Sequence, residues 1–191
     1  MTKESLRKLY LDKRLALSEA DYVNLSNSLC ENFFSFVDLS AVKVLHTFLP
    51  IEKTKEPNTW LIIERIKKEY PDIKIAVPKI NTQTSNLDHF YFEGKDQLTK
   101  NTWGIPEPVQ GIPVPLEKID AVLVPLLVFD QEGHRVGYGR GFYDKFLNQC
   151  PENLQKIGLS LFPPVELITD VNPNDHKLTV AVTPQKAITF R

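Results

Sequence analysis

Apolar positions along this chain of 191 residues follow two spacings, and each spacing predicts a different element. Over residues 2–17, Leu6, Leu9, Tyr10 and Leu17 form a partial helical stripe, interrupted by Lys13, with Thr2 or Ser5 as candidate N-caps. Ser18 opens a second helix that runs to about Phe36, and Asp21 completes an acidic form of the capping box. A polar loop, Glu52 to Asn58, leads into a third helix from Thr59 to Tyr70. Strand patterns fall between these helices, at 42–49 (VKVLHTFL), 74–78 (KIAVP) and 88–93 (DHFYFE). Residues 94–118 are punctuated by Gly104, Pro106, Pro108, Gly111, Pro113 and Pro115, which predicts mostly loop. The continuous apolar run 121–129 (AVLVPLLVF) predicts a buried strand. A helix over 142–149 and strands over 156–160 and 179–182 complete the chain. Alternating strands and helices predict an α/β fold. The expectation is a single domain over 1–191: an open, largely parallel sheet flanked by helices in three layers, α/β/α. No repeat, low-complexity tract or linker divides the chain.

Composition narrows the class without changing the fold. With 42% hydrophobic and 25% charged residues and a net charge of −1, the chain reads as an ordinary globule. That balance argues against a general nucleic-acid binder, which carries a basic excess. No apolar run approaches the roughly 20 residues of a membrane span. The N-terminus (MTKESLR) is a charged helix former without the apolar core of a signal peptide. Cytoplasmic location, a monomer, no membrane and no nucleic-acid partner are the expectations. Cys30 and Cys150 have no CxxC partner and read as buried free thiols. The histidines, His46, His89, His134 and His176, are scattered, with no pair at metal-ligand spacing, and read as structural or exposed.

Candidate chemistry concentrates in Arg135–Asp144 (RVGYGRGFYD), between the apolar run and the helix that follows. Gly137, Gly139 and Gly141 remove side chains where backbone amides would approach a ligand, and Arg135 and Arg140 add fixed positive charge. A glycine turn leading from strand to helix suits phosphate, which backbone N–H groups can hold. The third glycine of the dinucleotide fingerprint is missing, and GxxxxGK[ST] does not occur. Asp144 could join magnesium to a polyphosphate here, or could simply stabilise the first helical turn. Lys3, Arg7 and Arg14 lie along one flank of the first helix. Such a flank is ordinarily solvated, and it becomes informative only if that helix packs beside the turn. Glu56 follows a strand end, a ligand-facing position in open sheets, although an exposed loop carboxylate is the commoner outcome. Trp103, in a Pro/Gly-rich loop, could stack on a flat ring or anchor its loop.

Arg135–Asp144, preceded by Val124–Asp130 (VPLLVFD), closely resembles the hallmark segment of the 5-formyltetrahydrofolate cyclo-ligase family, also called methenyltetrahydrofolate synthetases. Matches follow in order along nearly the whole chain: Lys3–Arg7, Arg14–Ser18, Phe48–Pro50 with Glu56–Thr59, Trp103–Pro108, and Asp175 with Val182–Pro184. The central segment is specific, whereas the outlying ones are weak singly. The resemblance implies ATP- and Mg2+-dependent cyclisation of 5-formyltetrahydrofolate to 5,10-methenyltetrahydrofolate, releasing ADP and phosphate through a phosphorylated formyl group. It implies an ATP site of Lys3, Glu4, Ser5, Leu6, Arg7, Arg135, Val136, Gly137, Tyr138, Gly139, Arg140, Gly141, Phe142 and Tyr143. Arg140 and Tyr143 would be catalytic. A reduced folate would meet Glu56, Trp103 and Tyr138 to Phe142, and Asp144 and Asp175 would hold magnesium. Three positions depart from the family's habit: Arg140 stands where glycine is common, Phe142 replaces a frequent tyrosine, and the loop from Pro50 to Glu56 is longer. A phosphosugar isomerase or an ATP-sensing module would also use the glycine turn. The isomerase lacks a distinctive acid–base set, and the sensor leaves Glu56 and Trp103 unexplained.

Overall fold

The computed structural model describes residues 1–102 and 104–190. Helix α1 (Lys3–Leu15) starts at Thr2, whose hydroxyl accepts the Ser5 N–H at 3.4 Å. Helix α2 (Glu19–Phe36) starts at Ser18, whose Oγ accepts from the Asp21 amide at 3.1 Å and donates to the Asp21 carboxylate at 2.6 Å. Strand β1 (Val44–His46), helix α3 (Thr59–Glu69) and the hairpin of β2 (Lys74–Asn81) with β3 (Asn86–Tyr91) come next. They are followed by β4 (Leu98–Lys100), β5 (Pro106–Pro108), β6 (Ala121–Pro125), β7 (Val128–Phe129) and β8 (Arg135–Val136). The chain closes with α4 (Phe142–Leu147), β9 (Gln155–Leu159), β10 (Val180–Val182) and β11 (Ala187–Thr189).

Seven strands form the main sheet in the order β11-β10-β9-β6-β1-β2-β3. The run from β10 to β2 is parallel, and β11 and β3 close the two edges antiparallel. From β1 the chain first builds outward to β2 and β3, then returns to β6 on the other side, so the topology reverses between β1 and β6. Open α/β sheets bind ligands at that reversal, outside the carboxyl ends of the strands.

Strand residues alternate between two buried faces, as pleating requires. Leu45, Ile75, Val77, Leu123 and Ile157 meet Leu29 and Phe33 of α2 and Ile62, Ile63 and Ile66 of α3. Val44, Ala76, Val122, Val124 and Ala181 share the second cluster with Phe146 and Leu147 of α4 and with Leu126 and Leu178. Helices therefore flank both faces, but a single helix of six residues serves the second, and irregular chain completes its cover. At Gly158 a Cβ would stand 2.5 Å from Leu178 and 2.8 Å from Leu126. A third, small cluster joins Leu6 and Tyr10 of α1 to Leu127, Val128, Val136 and Ile168. It seats α1 against the β7–β8 hairpin.

Several boundaries differ from the sequence pattern. Only Val44–His46 of the 42–49 run pairs in the sheet; Phe48 and Leu49 stay buried but leave the ladder. The 121–129 run splits after Pro125, because β7 leaves the main sheet to pair with β8. The stretch predicted as loop contains β4 and β5, paired antiparallel despite two prolines. Helix α4 ends at Leu147 rather than Gln149, β2 begins at Lys74 as expected but runs on to Asn81, β3 spans Asn86–Tyr91 rather than 88–93, and β11 has no counterpart in the sequence pattern. Among the described residues, no helix is long and apolar enough to cross a membrane.

Candidate active site

A cleft of ≈ 770 Å³ opens at the β1/β6 reversal. Phe48 and Leu49, just after β1, and Pro125, at the end of β6, contribute its apolar floor. The tip of the β2–β3 hairpin (Asn81, Thr82, Ser85) forms an outer rim, tied to α4 where Lys145 donates to the Ser85 carbonyl at 3.2 Å.

One wall is the glycine turn. Gly139 and Gly141 take φ of 86° and 69°, the left-handed region that side chains disfavour. Arg7 reaches across from α1 and donates through Nε to the Gly137 carbonyl at 3.0 Å; a Cβ on Gly139 would stand 3.2 Å from its guanidinium. Helix α1 thus packs beside the turn, the condition that makes its cations informative. Lys3 and Arg135 also line this wall. Lys3 forms an ion pair with Asp175, while its backbone N–H donates to Asp170 at 2.7 Å. Arg135 is buried, donates to the His176 carbonyl, and pairs with Asp144 at 2.5 Å. Arg140 is exposed at the cleft edge. Among the described residues, no acceptor takes the backbone N–H of Tyr138, Gly139, Arg140 or Gly141. Free amides beside clustered cations are what an anionic ligand uses.

The opposite wall holds Glu56, only 3% exposed. A 3₁₀ turn (Glu52–Thr54) carries the chain inward, and Glu56 accepts the Ile51 N–H at 2.7 Å. Burial raises its pKa, and the Arg14 charge, the Ile51 amide and the Tyr138 hydroxyl oppose that rise. Tyr138 is itself held strongly neutral by burial, with the nearby Glu56 charge adding to the effect. Among the described residues, the buried Tyr143 hydroxyl has no hydrogen-bond partner, and burial pushes its pKa up as well.

Site residues expected from the sequence divide by placement. Lys3, Arg7, Glu56, Arg135, Gly137 to Asp144 and Asp175 all line the one cleft. Glu4 and Ser5 are exposed away from it, and Leu6 and Val136 fill the third apolar cluster. Trp103 lies outside the described residues. Two features escaped the sequence pattern. Glu107, 7% exposed, also lines the cleft, accepts the Ile80 N–H at 3.0 Å, and has its pKa raised by burial. Its only signal was its place in the Trp103–Pro108 segment. His46 and His89 share a buried hydrogen bond of 3.0 Å between Nε2 and Nδ1, with the His46 ring 6.2 Å from that of Tyr143. No local pattern links two histidines on different strands.

The sequence profile of the 5-formyltetrahydrofolate cyclo-ligase family matches residues 1–184. The chain belongs to this family. A 5-formyltetrahydrofolate cyclo-ligase of Mycoplasma pneumoniae is 30% identical over 161 residues, 84% of this chain and 85% of the relative. A probable 5-formyltetrahydrofolate cyclo-ligase of Schizosaccharomyces pombe is 28% identical, covering 88% of this chain and 89% of its own. The solved structure of Aquifex aeolicus 5,10-methenyltetrahydrofolate synthetase superposes with a TM-score of 0.82 at 27% identity, covering 100% of this chain and 94% of that one. In this cyclo-ligase family member the cleft joins a cationic, amide-rich wall to an apolar pocket holding a buried carboxylate. Among the described residues, no group of three or more His, Cys, Asp or Glu could hold a metal by itself. Asp144 and Asp175 do offer hard oxygen donors on the cleft. That set fits magnesium, which takes one or two carboxylates and completes its shell from phosphate and water.

Proposed function

We propose that this protein cyclises 5-formyltetrahydrofolate to 5,10-methenyltetrahydrofolate at the expense of ATP, with magnesium. The two-walled cleft is the observation that carries this reading: cations and unpartnered amides on one side, buried Glu56 on the other, with the turn between. The polyphosphate lies against the turn, where Lys3, Arg7 and Arg135 supply positive charge. The pteridine end lies in the apolar pocket, where Glu56 accepts from ring N–H groups. Tyr138 to Phe142 face both ligands. Asp144 and Asp175 would hold magnesium, which would supply neutralising charge for the phosphates.

The formyl oxygen attacks the γ-phosphorus and ADP leaves. N10 of the folate then attacks the activated formyl carbon, the C–N bond forms, the N10 proton is lost to solvent, and phosphate departs with the former formyl oxygen. An amide-like oxygen is a poor leaving group, and phosphorylation makes it a good one. The chain must therefore align two substrates and neutralise charge rather than provide a nucleophile. Arg140, exposed at the edge of the cleft, steadies the transferred phosphoryl group, and Tyr143 completes the enclosure. The protein acts as a monomer in the cytoplasm on a small-molecule folate, as one domain.

Absorbance in the ultraviolet band of the methenyl product, after mixing protein with 5-formyltetrahydrofolate, ATP and magnesium, tests the reading. A rise that vanishes without ATP is expected. No rise with intact folate and folded protein would overturn it.

A further inference from the structure

Arg14 stands apart from the other cations of α1. It is 1% exposed, where Lys3 and Arg7 remain partly open to the cleft. Its guanidinium donates through Nε to the Thr54 carbonyl at 2.9 Å, through one terminal nitrogen to the Leu126 carbonyl at 3.1 Å, and through the other to the Tyr138 hydroxyl. Those acceptors belong to the turn preceding Glu56, the chain just after β6, and the glycine turn. Of the three, Tyr138 lines the cleft itself, and Thr54 and Leu126 lie near the lining residues Glu56 and Pro125 along the chain. A buried guanidinium calls for a counter-charge as well as acceptors, and the Arg14 charge opposes the rise that burial imposes on the Glu56 carboxyl, with Tyr138 hydrogen-bonding to both side chains. The groups that oppose the burial of the Glu56 charge are Arg14 from α1, the Ile51 amide and the Tyr138 hydroxyl from the turn, while that charge in turn helps keep the Tyr22 and Tyr143 phenols neutral. Arg14 is the cation among them.

We propose that Arg14 is a positioning residue for the folate side of the cleft: it fixes the Tyr138 hydroxyl and supplies the counter-charge of Glu56, holding the glycine turn and the Glu56 pocket in one register. The inference rests on the reading of Glu56 as the folate-facing carboxylate. It separates the three cations by task, with Lys3 and Arg7 at the phosphate wall and Arg14 behind the pteridine pocket. Lysine could bring charge to this site but not a planar fork aimed at three acceptors.

Arg14→Lys, Tyr138→Phe and the double variant test it, with KM measured separately for 5-formyltetrahydrofolate and MgATP and unfolding followed in urea. Arg14→Lys is expected to raise the folate KM about tenfold or more, the scale of a lost charge-assisted hydrogen bond, and to leave the MgATP KM within about twofold. The double variant is expected to be little worse than Arg14→Lys alone, in folate KM and in unfolding midpoint. Equal rises in both KM values, an unchanged folate KM, or fully additive effects would overturn the proposal. If Arg14→Lys fails to fold, Tyr138→Phe alone carries the test, because it removes one hydroxyl: a higher folate KM at constant MgATP KM supports the role, and no change refutes it. A wild-type protein without ATP-dependent methenyl formation overturns the underlying reading instead, whereas the unfolding cycle still reports whether Arg14 and Tyr138 are linked.

Discussion

Arg140 on the glycine turn and Tyr143 in the first turn of α4 differ in what their removal would disturb. The Tyr143 ring packs against both main apolar clusters, and its hydroxyl is buried without a partner among the described residues. Replacing it by alanine would remove core as well as chemistry, so Tyr143→Phe is the cleaner probe. An unsatisfied buried hydroxyl costs about 1–3 kcal/mol. Tyr143→Phe should therefore keep or raise the unfolding free energy in urea while lowering kcat if the phenol meets bound substrate. A drop in stability would show that the hydroxyl finds a partner in solution. Arg140 is exposed, so Arg140→Ala should leave the unfolding free energy within about 0.5 kcal/mol of wild type and reduce kcat about tenfold or more. The His46–His89 pair adds a pH dependence. Burial holds both imidazoles below their ordinary range, His89 at about 4. The unfolded chain therefore takes up protons first, and stability is complete above pH ~6.5 and falls on acidification by about 1.4 kcal/mol per pH unit for each histidine. Urea midpoints between about pH 6.5 and 5 should drop for wild type and drop less for His89→Gln.

At the scale of elements, the glycine turn separates structural from ligand-driven demands. Gly139 has a left-handed φ of 86° and lies against Arg7. Gly139→Ala should cost about 1–2 kcal/mol and displace the guanidinium, weakening ATP binding and folding together. Among the described residues, none beyond the two chain neighbours of Gly137 comes within 4 Å of where a Cβ would stand. Gly137→Ala should leave thermal unfolding unchanged but weaken ATP binding if phosphate approaches that backbone. Calorimetric titration beside a melting curve distinguishes the two, and unaltered ATP affinity in Gly137→Ala would remove this position from the phosphate site.

Across the whole molecule, the N-terminal helix and the 167–175 segment are tied on one side of the cleft. The Met1 ammonium donates to the Leu167 carbonyl at 3.3 Å, Thr169 donates to the Met1 carbonyl at 3.1 Å, and Lys3 pairs with Asp175. Lys3 and Arg135 each already hold an aspartate, Asp175 and Asp144, in the unliganded arrangement. ATP alone would draw both cations away and leave two carboxylates without counter-ions, whereas MgATP supplies a cation for them. MgATP should therefore raise the melting temperature more than ATP with a chelator at equal concentration, by the linkage between binding and stability. Equal shifts would argue against Asp144 and Asp175 as magnesium ligands.

The amino-acid sequence by itself determined the alternation of strands and helices, the capped starts of α1 and α2, the buried central strand and the chemistry of the turn. Each of these follows from local spacing, residue type or glycine placement, which the chain carries without reference to distant contacts. Tertiary structure decided what depends on long-range pairing. The 121–129 run is uniformly apolar, so only the pairing of β7 with β8 shows where it leaves the sheet. β4 and β5 form because each finds the other, against the proline signal. Arg14 reads as one more exposed cation until Thr54, Leu126 and Tyr138 close around it, and Glu56 as an ordinary loop carboxylate until the 3₁₀ turn folds it inward. His46 and His89, 43 positions apart, meet only because β1, β2 and β3 are neighbours in the sheet. Burial and charge compensation are properties of the packed chain, and they separate a surface charge from a working one.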